Sequence, residues 1–160
     1  MGTITKIKVK KLHADAVLPV YANEYAVGAD VYAYLNDPDR DEWTGFRTMI
    51  EPGTFKAIPT GIAVELHEGL ELQVRPRSGL AARHGITVLN TPGTIDPDYR
   101  LEISVILINH GERPFIVEHG MRIAQLVPQV RLSWRGYGYG FVEGEVTPTN
   151  RGGFGSTGLK

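Results

Sequence analysis

The sequence predicts a single all-β domain with one short helix and a glycine-rich C-terminal arm. Its length of 160 residues suits one domain. Eight segments are apolar, or alternate between apolar and polar, over strand-like lengths, at residues 4–9, 30–35, 55–66, 70–74, 86–89, 101–109, 115–117 and 123–130. Turn-forming runs such as EPG, HEG, NHGE and EHG separate them at spacings typical of a sandwich or barrel. Residues 1–130 therefore form the predicted domain, and residues 131–160 form the arm.

The predicted helix lies in the stretch SGLAARHG, residues 78–85. Ser78 is a good N-cap residue, and the two alanines that follow favour helix. Gly85 can end the helix because glycine accepts the left-handed conformation common after a last turn. We expect two helical turns here.

Charge and composition exclude several classes of function. Lys and Arg total 17 against 18 Asp and Glu, so there is no general basic surface for nucleic acid or membrane. The absence of cysteine rules out a disulfide framework and a thiol nucleophile, and the five histidines show no ligand spacing. No secretory h-region appears, and no apolar run approaches the roughly 20 residues of a membrane helix. These features predict a soluble, cytoplasmic protein.

Two segments stand apart from the predicted strands. Residues 36–48 are charged and rich in turn formers, which predicts a solvated loop. Residues 131–160 hold 8 of the 19 glycines and end in RGGFGSTGLK. Composition alone leaves two readings of equal weight, a flexible tail and a phosphate-binding arm. In the second reading, glycine N–H groups converge on an anion, and Arg151, Ser156 and Thr157 add further donors.

Five stretches along the chain carry a family resemblance. They are GADVYA (28–33), RPRSGLAARHG (75–85), PGTIDPDYR (92–100), RIAQLV (122–127) and RGGFGSTG (151–158). Together, and in this order, they resemble the five motifs of the trimeric dUTPase family. The resemblance implies a jelly-roll-like β-barrel subunit, a homotrimer, dependence on Mg²⁺, and hydrolysis of dUTP to dUMP and pyrophosphate. That activity limits uracil in DNA and supplies dUMP for dTMP synthesis.

The resemblance also implies an active site shared between subunits. The second and fourth motifs would come from one chain, the third from a neighbour, and the C-terminal arm from the remaining chain. An arm without a core of its own would then become ordered over a ligand held by other subunits.

The catalytic residues implied by the resemblance are Asp96 and Gln125. Asp96 would be the general base that orients and deprotonates the water attacking the α-phosphorus. Taken alone, an Asp before Pro97 is more often a turn-capping residue. Gln125 would contact the α-phosphate and the attacking water, although a buried strand glutamine bonded to backbone is the structural alternative.

Base and sugar selection would come from the third motif. Tyr99 would lie flat against the deoxyribose and leave no room for a ribose 2′-hydroxyl, whereas an ordinary sheet aromatic is the structural alternative. Backbone groups from Asn90 to Gly93 would pair with the edge of uracil. Such pairing rejects cytosine because the wrong base leaves buried polar groups unpaired.

Triphosphate binding would involve two motifs. In the second motif, Arg77, Ser78 and Gly79 offer a guanidinium fork, a hydroxyl and a backbone N–H. In the arm, Phe154 would stack over uracil, and the residues that would enclose the β- and γ-phosphates are Arg151, Gly155, Ser156 and Thr157. The arm would act as a lid.

Asp30 and Arg122 would form a supporting network beside the metal-bound phosphates, paired with each other. A purely structural ion pair fits these residues equally well. Mg²⁺ prefers oxygen ligands and retains waters, so it would be held mainly by the substrate phosphates, with Asp30 reaching it through water. No direct protein ligand is predicted.

The chain departs from the family pattern at three places. Leu101 stands where the third motif usually has glycine, and Arg151 precedes Phe154 by three residues rather than five, which leaves its reach to the γ-phosphate open. The 36–48 loop is also longer than expected.

Two alternative functions stay open. A dCTP deaminase of the same superfamily uses a catalytic glutamate, and Glu102 is suggestively placed for it, but Tyr99 and the intact GFGSTG arm favour the hydrolase. A regulatory trimer that senses dUTP is the other, with the 36–48 loop as a surface for a protein partner. A simple loss of chemistry is disfavoured by the joint presence of Ser78, Asp96, Tyr99 and Gln125.

Overall fold

The computed structural model describes residues 6–36 and 46–130, and these contain twelve strands and one helix. In chain order the strands are β1 (Lys8–Lys11), β2 (Val20–Tyr21), β3 (Ala29–Tyr32), β4 (Arg47–Ile50), β5 (Phe55–Pro59), β6 (Ile62–Glu65), β7 (Leu70–Arg75), β8 (Ile86–Val88), β9 (Gly93–Ile95), β10 (Ser104–Asn109), β11 (Phe115–Glu118) and β12 (Arg122–Val130). Helix α1 (Ser78–His84) joins β7 to β8. The predicted class, mostly β with one short helix, is confirmed.

The strands pair into four antiparallel sheets. The largest has the order β2-β3-β12-β7-β9, and a three-stranded sheet has the order β5-β10-β8. Strands β1 and β6 form one two-stranded sheet, and β4 and β11 form the other. In the described ranges these pairings do not close into a barrel. The jelly-roll-like barrel therefore stays a prediction.

Strand β12 is the central strand of the large sheet, with β3 on one side and β7 on the other. Its register with β3 shifts between Arg122 and Ala124, where β12 carries one residue more than its partner. The Cα partners across this shift are Arg122 with Tyr32, Ala124 with Val31, and Gln125 with Asp30. On its other side, Gln125 is paired with Arg75 of β7.

The core lies between the sheets and is built from aliphatic side chains. Ile58, Ile62, Ile103 and Leu107 are completely buried. Asn109 is buried among them, and its polar groups are bonded: Nδ2 donates to the carbonyls of Ile50 (2.9 Å) and Arg113 (2.8 Å), while Oδ1 accepts from Gly111 N–H (2.8 Å). Buried polar groups cost little only when they are paired in this way.

Several predicted strand boundaries are wrong. The predicted strand at residues 55–66 is two strands, β5 and β6, because Gly61 adopts a left-handed conformation (φ 68°) between them. Strands β2, β4 and β9 were not predicted, and β4 begins at Arg47, inside the stretch predicted as a loop. The predicted strand at 101–109 begins at Ser104. Of the predicted 36–48 loop, residues 37–45 lie outside the described part of the chain.

The helix forms where it was predicted, but its first turn differs. Arg77, with extended backbone angles (φ −93°, ψ 123°), is the N-cap residue, and no side chain bonds to the free N–H groups there. Ser78 is the first helical residue, so its prediction as the N-cap is wrong. The predicted end is confirmed: Gly85 adopts the left-handed conformation, and its N–H donates to Ala81 O (3.0 Å). None of the helices in the described residues is long and apolar enough to cross a membrane.

Candidate active site

A row of polar side chains crosses the middle of the large sheet. Asp30 on β3, Gln125 on β12 and Arg75 on β7 are direct neighbours in the antiparallel pairing. Residues directly opposite each other in antiparallel strands project to the same face, so these three side chains share one face of the sheet. This row contains two of the residues singled out from the sequence, Asp30 and Gln125.

Asp30 pairs with two arginines. Its Oδ1 lies 3.0 Å from Nε of Arg77, and its Oδ2 lies 3.3 Å from Nη1 of Arg122. The Asp30 side chain is only 15% exposed, against 27% for Arg77 and 51% for Arg122. Arg77 also donates from Nη1 to Arg122 O (3.2 Å). The Asp30–Arg122 pair agrees with the sequence prediction, whereas the shorter and more buried pair with Arg77 was not predicted.

Gln125 is held by the backbone on both sides. Its Nε2 donates to Pro76 O (3.0 Å), just before the N-cap of α1. On the β3 side its amide lies against Gly28, so closely that a Cβ atom at Gly28 would clash with Oε1 and would lie 3.0 Å from Cδ. The side chain is partly exposed. Its amide is therefore oriented, yet it stays accessible to a ligand.

The start of α1 presents the second-motif residues beside this row. Ser78 is exposed, and Gly79 is partly exposed. Arg75 is engaged within its own strand, because Nε and Nη2 both donate to Gln73 Oε1 (3.0 and 2.7 Å). Arg77 is thus the arginine of this motif that reaches across to Asp30.

The third-motif stretch begins in β9 at the edge of the same sheet. Gly93 is buried, and a Cβ atom there would lie 3.2 Å from Val74 Cβ and 3.3 Å from Asn90 Nδ2. Asp96 follows β9 directly and is exposed. Its carbonyl accepts from Tyr99 N–H (3.1 Å), and its carboxylate makes no hydrogen bond with any described residue. The backbone, not the Asp96 side chain, closes this turn.

Tyr99 and Glu102 have structural contacts in this chain. Tyr99 is partly buried against the core, and its hydroxyl donates to Glu102 O (2.9 Å). The Glu102 carboxylate accepts from Gly61 N–H (2.8 Å), at the break between β5 and β6. Glu102 thereby links the turn at Gly61 to the segment that precedes β10.

One chain does not bring every predicted site residue together. Asp30, Arg77, Ser78, Arg122 and Gln125 lie at one place, around the start of α1. Ile95, next to Asp96, pairs with Leu72, whereas Gln125 pairs with Arg75. These rows are three residues apart along β7, or about 10 Å at the strand rise, and Asp96 lies one residue further away. Asp96 and Gln125 of the same chain are therefore too far apart to act on one phosphorus atom.

The arm residues Arg151, Phe154, Gly155, Ser156 and Thr157 lie outside the described residues. Among the described residues, no group of three or more His, Cys, Asp or Glu side chains could hold a metal ion. Both carboxylate oxygens of Asp30 are engaged by arginines. The Asp30 carboxylate is thus already satisfied by the two arginines, and how a metal is held stays a prediction.

Sequence reasoning missed a second polar cluster, at the start of the 37–45 segment. Asn36 Nδ2 donates to Asp15 Oδ2 (2.9 Å), and the Tyr34 hydroxyl donates to Asp15 Oδ1 (2.8 Å). These hydrogen bonds, the one from Asn36 first, hold the pKa of Asp15 below its ordinary value. No sequence motif marks this cluster, since Asp15 is separated from Tyr34 by 19 residues.

The family assignment follows from comparison with known proteins. The family model described as dUTPase matches residues 45–158. A deoxyuridine 5'-triphosphate nucleotidohydrolase from Syntrophotalea carbinolica is 49% identical over 159 residues, which cover 99% of this chain and 100% of the relative. This chain belongs to the dUTPase family. The family predicted from the five motifs and its enzyme class are confirmed.

Solved dUTPase structures share the fold at lower identity. A mutant dUTPase of Staphylococcus bacteriophage 80alpha with dUpNHpp superposes with a TM-score of 0.75 at 21% identity, covering 98% of this chain and 100% of that chain. A mutant dUTPase from phage phi11 of S. aureus, described with a structural Mg(II) ion, gives a TM-score of 0.66 at 16% identity, covering 92% of this chain and 98% of that chain. At this identity the likeness concerns the fold.

Proposed function

We propose that this dUTPase family member hydrolyses dUTP to dUMP and pyrophosphate by water attack on the α-phosphorus. The observation that carries the proposal is the constellation around Asp30: an oriented Gln125 amide, an arginine held by a carboxylate, and exposed Ser78 at the start of α1. Cations and hydrogen-bond donors arranged on rigid elements suit a phosphate chain. The dUTP analogue dUpNHpp seen with the phage 80alpha enzyme supports dUTP as the substrate.

Asp96 acts as the general base in this proposal. The Asp96 carboxylate is exposed and accepts no hydrogen bond from the described residues, so it is open to a water molecule. It takes a proton from the attacking water as the new P–O bond forms and the bond to pyrophosphate breaks. A positioned base typically contributes about 10²- to 10⁴-fold in rate.

Gln125, Arg77 and Ser78 bind the phosphates, together with the Gly79 N–H. Gln125 Nε2 uses one proton on Pro76 O and has a second for an α-phosphate oxygen or the attacking water. Arg77 is held through Nε by Asp30, which leaves part of its guanidinium fork for a phosphate oxygen. Arg122 pairs with the other carboxylate oxygen of Asp30 and so helps to hold Asp30 in place beside Arg77.

Base and sugar selection come from the region around β9. The backbone between Asn90 and Gly93 pairs with uracil, and the buried Gly93 brings the two sides of this turn close together. Tyr99 lies against the deoxyribose. Its partial burial and the bond from its hydroxyl to Glu102 O hold the ring in place, as a steric barrier to a 2′-hydroxyl requires.

The working unit is a homotrimer of jelly-roll-like subunits. The separation of Asp96 from Gln125 within one chain supports this, since a neighbouring chain can bring its own Asp96 to the phosphate site. The arm of the remaining chain supplies Arg151, Phe154, Gly155, Ser156 and Thr157 as a lid. Removing residues 151–160 should lower kcat/KM strongly while the trimer still elutes intact in size-exclusion chromatography. A truncated chain that elutes as a monomer would make the arm an assembly element instead.

Mg²⁺ would be held mainly by the substrate phosphates, and Asp30 would reach it only through water. When bound, it would supply charge neutralisation for the pyrophosphate leaving group. The described side chains contribute by orientation, since Asp30 is already committed to arginines.

Product analysis tests the proposal. The protein is incubated with Mg²⁺ and dUTP, dCTP, dTTP or UTP, with and without EDTA, and pyrophosphate and ammonia are measured separately. We expect pyrophosphate from dUTP alone, suppressed by EDTA. Ammonia from dCTP would support the deaminase alternative and Glu102, whereas no product from any nucleotide would support a regulatory trimer.

A further inference from the structure

Gly28 lies beside the Gln125 amide at a position where the backbone does not require glycine. Gly28 comes just before β3, and its φ lies outside the left-handed region that disfavours other residues. A Cβ atom at Gly28 would nevertheless clash with Gln125 Oε1 and lie 3.0 Å from Cδ and 3.1 Å from Cβ of the same side chain. All three of the nearest atoms belong to Gln125. Space for this one side chain is therefore what glycine provides here.

The geometry points to Gly28 as a positioning residue for the reaction, one that acts only through Gln125. The missing Cβ leaves room for the amide to lie against the start of β3 while its Nε2 donates to Pro76 O. The inference rests on the proposed function, in which the second Nε2 proton meets the phosphate or the water.

Alanine at Gly28 should therefore act on the amide rather than on the fold. The clashing atom is the far end of a flexible side chain that is partly open to solvent. Rotation of the amide relieves the clash with Oε1 and the contact with Cδ, while the 3.1 Å contact with Gln125 Cβ needs a small backbone adjustment. The rotation breaks the bond to Pro76 O and turns the donor away. A misplacement of about 1 Å in a positioning group can cost roughly 100-fold in rate.

A double-mutant cycle on the full-length protein tests this role. We expect Gly28→Ala to lower kcat for dUTP by about 10- to 100-fold with little change in KM. In a Gln125→Ala background the same change should alter kcat by less than about 2-fold, because the amide that it displaces is absent. Gly69→Ala is the matched control: its φ is also ordinary, and the nearest atom to an added Cβ lies 3.7 Å away. This control should keep the wild-type kcat.

A second measurement does not depend on turnover. In ¹⁵N-labelled protein, the side-chain amide signal of Gln125 is assigned by its loss in Gln125→Ala. It should shift in Gly28→Ala and stay in place in Gly69→Ala. If the wild type fails to hydrolyse dUTP, the proposed function fails while this signal still reports on the positioning.

Three results would overturn the inference. In the first, the wild-type enzyme hydrolyses dUTP, and Gly28→Ala lowers kcat by the same factor in the wild-type and Gln125→Ala backgrounds. Another is an unshifted Gln125 amide signal in Gly28→Ala. The third is a Gly28→Ala protein that melts well below the wild type and recovers in the double variant, because the cost would then lie in packing.

Discussion

Replacing Asp30 with asparagine should destabilise this protein by about 2 kcal/mol. Asparagine keeps the shape and one acceptor oxygen but removes the charge shared by Arg77 and Arg122. Hydrogen bonds to charged groups contribute about 1.5–3 kcal/mol, whereas neutral ones contribute about 1 kcal/mol. The Asp30–Arg77 pair, at 15% and 27% exposure, should carry most of the loss. The Arg122 side chain is 51% exposed, so its pair adds at most about 1 kcal/mol.

Urea denaturation at one fixed protein concentration measures this loss, since assembly would make the apparent stability depend on concentration. Glu65→Gln is the control, because the Lys8–Glu65 pair has a similar distance of 3.1 Å but exposures of 76% and 52%. That control should cost less than about 1 kcal/mol. Arg122→Ala should also cost less than Asp30→Asn. Equal losses from Asp30→Asn and Glu65→Gln would refute the argument that burial makes the Asp30 pair important.

Three further predictions concern single carboxylates. Asp96→Asn should keep nucleotide binding and lose hydrolysis, because shape persists while the base is gone; wild-type turnover in this variant would remove Asp96 from the mechanism. Glu102→Ala should cost about 1–3 kcal/mol in urea, because Gly61 N–H loses its acceptor, whereas Glu102→Gln should cost less and both should still release pyrophosphate from dUTP. Loss of catalysis in Glu102→Gln with normal stability would instead give Glu102 a catalytic role. Because the pKa of Asp15 is lowered in the folded protein, its ionised carboxylate stabilises the fold at pH values above 3.8, the ordinary pKa of an aspartate. This contribution disappears as pH falls through the lowered pKa. The difference in Tm between wild type and Asp15→Asn should thus shrink below pH 3.8, and a difference constant from neutral to acid pH would contradict the assignment.

Much of the fold could be predicted from the sequence, because the long apolar strands have a hydrophobic pattern that is recognisable locally. Strands β7, β10 and β12 and the end of α1 at Gly85 were predicted within a few residues. Strand β2 has two exposed residues, and β4 follows a charged stretch, so both depend on pairing with distant partners that local pattern does not reveal. Gly61 divides the strand predicted at residues 55–66 through its left-handed backbone. A Cβ atom there would also lie 2.9 Å from Ala16 Cβ and from Tyr34 Cγ, and crowding by such distant residues is not visible in the local pattern.

At the site, too, some features could be predicted from the sequence and others depend on contacts between distant residues. Motif order led to Asp30, Arg122 and Gln125, and the Asp30–Arg122 pair lies where it was expected. The Arg77–Asp30 pair joins residues 47 apart, and the place of Gly28 depends on a side chain on another strand. A glycine before a strand usually indicates a turn, so only the observed contacts reveal that this one makes room for an amide.

The register shift in β12 explains how one strand supplies both Arg122 and Gln125 to the same face. In a regular strand, residues three apart point to opposite faces, so one of the two would face the core. Here Arg122 pairs with Tyr32 and Gln125 pairs with Asp30, two residues that share a face of β3. The extra residue in β12 lets the three-residue step from Arg122 to Gln125 match the two-residue step from Tyr32 to Asp30. Ile123 and Ala124, which lie between the two polar residues, are both buried. Without the bulge, the charge pair with Asp30 and the amide contact with Gly28 could not form together. The two consecutive apolar residues in RIAQ thus place Arg122 and Gln125 on the same face of the sheet, which strict alternation of apolar and polar residues could not do.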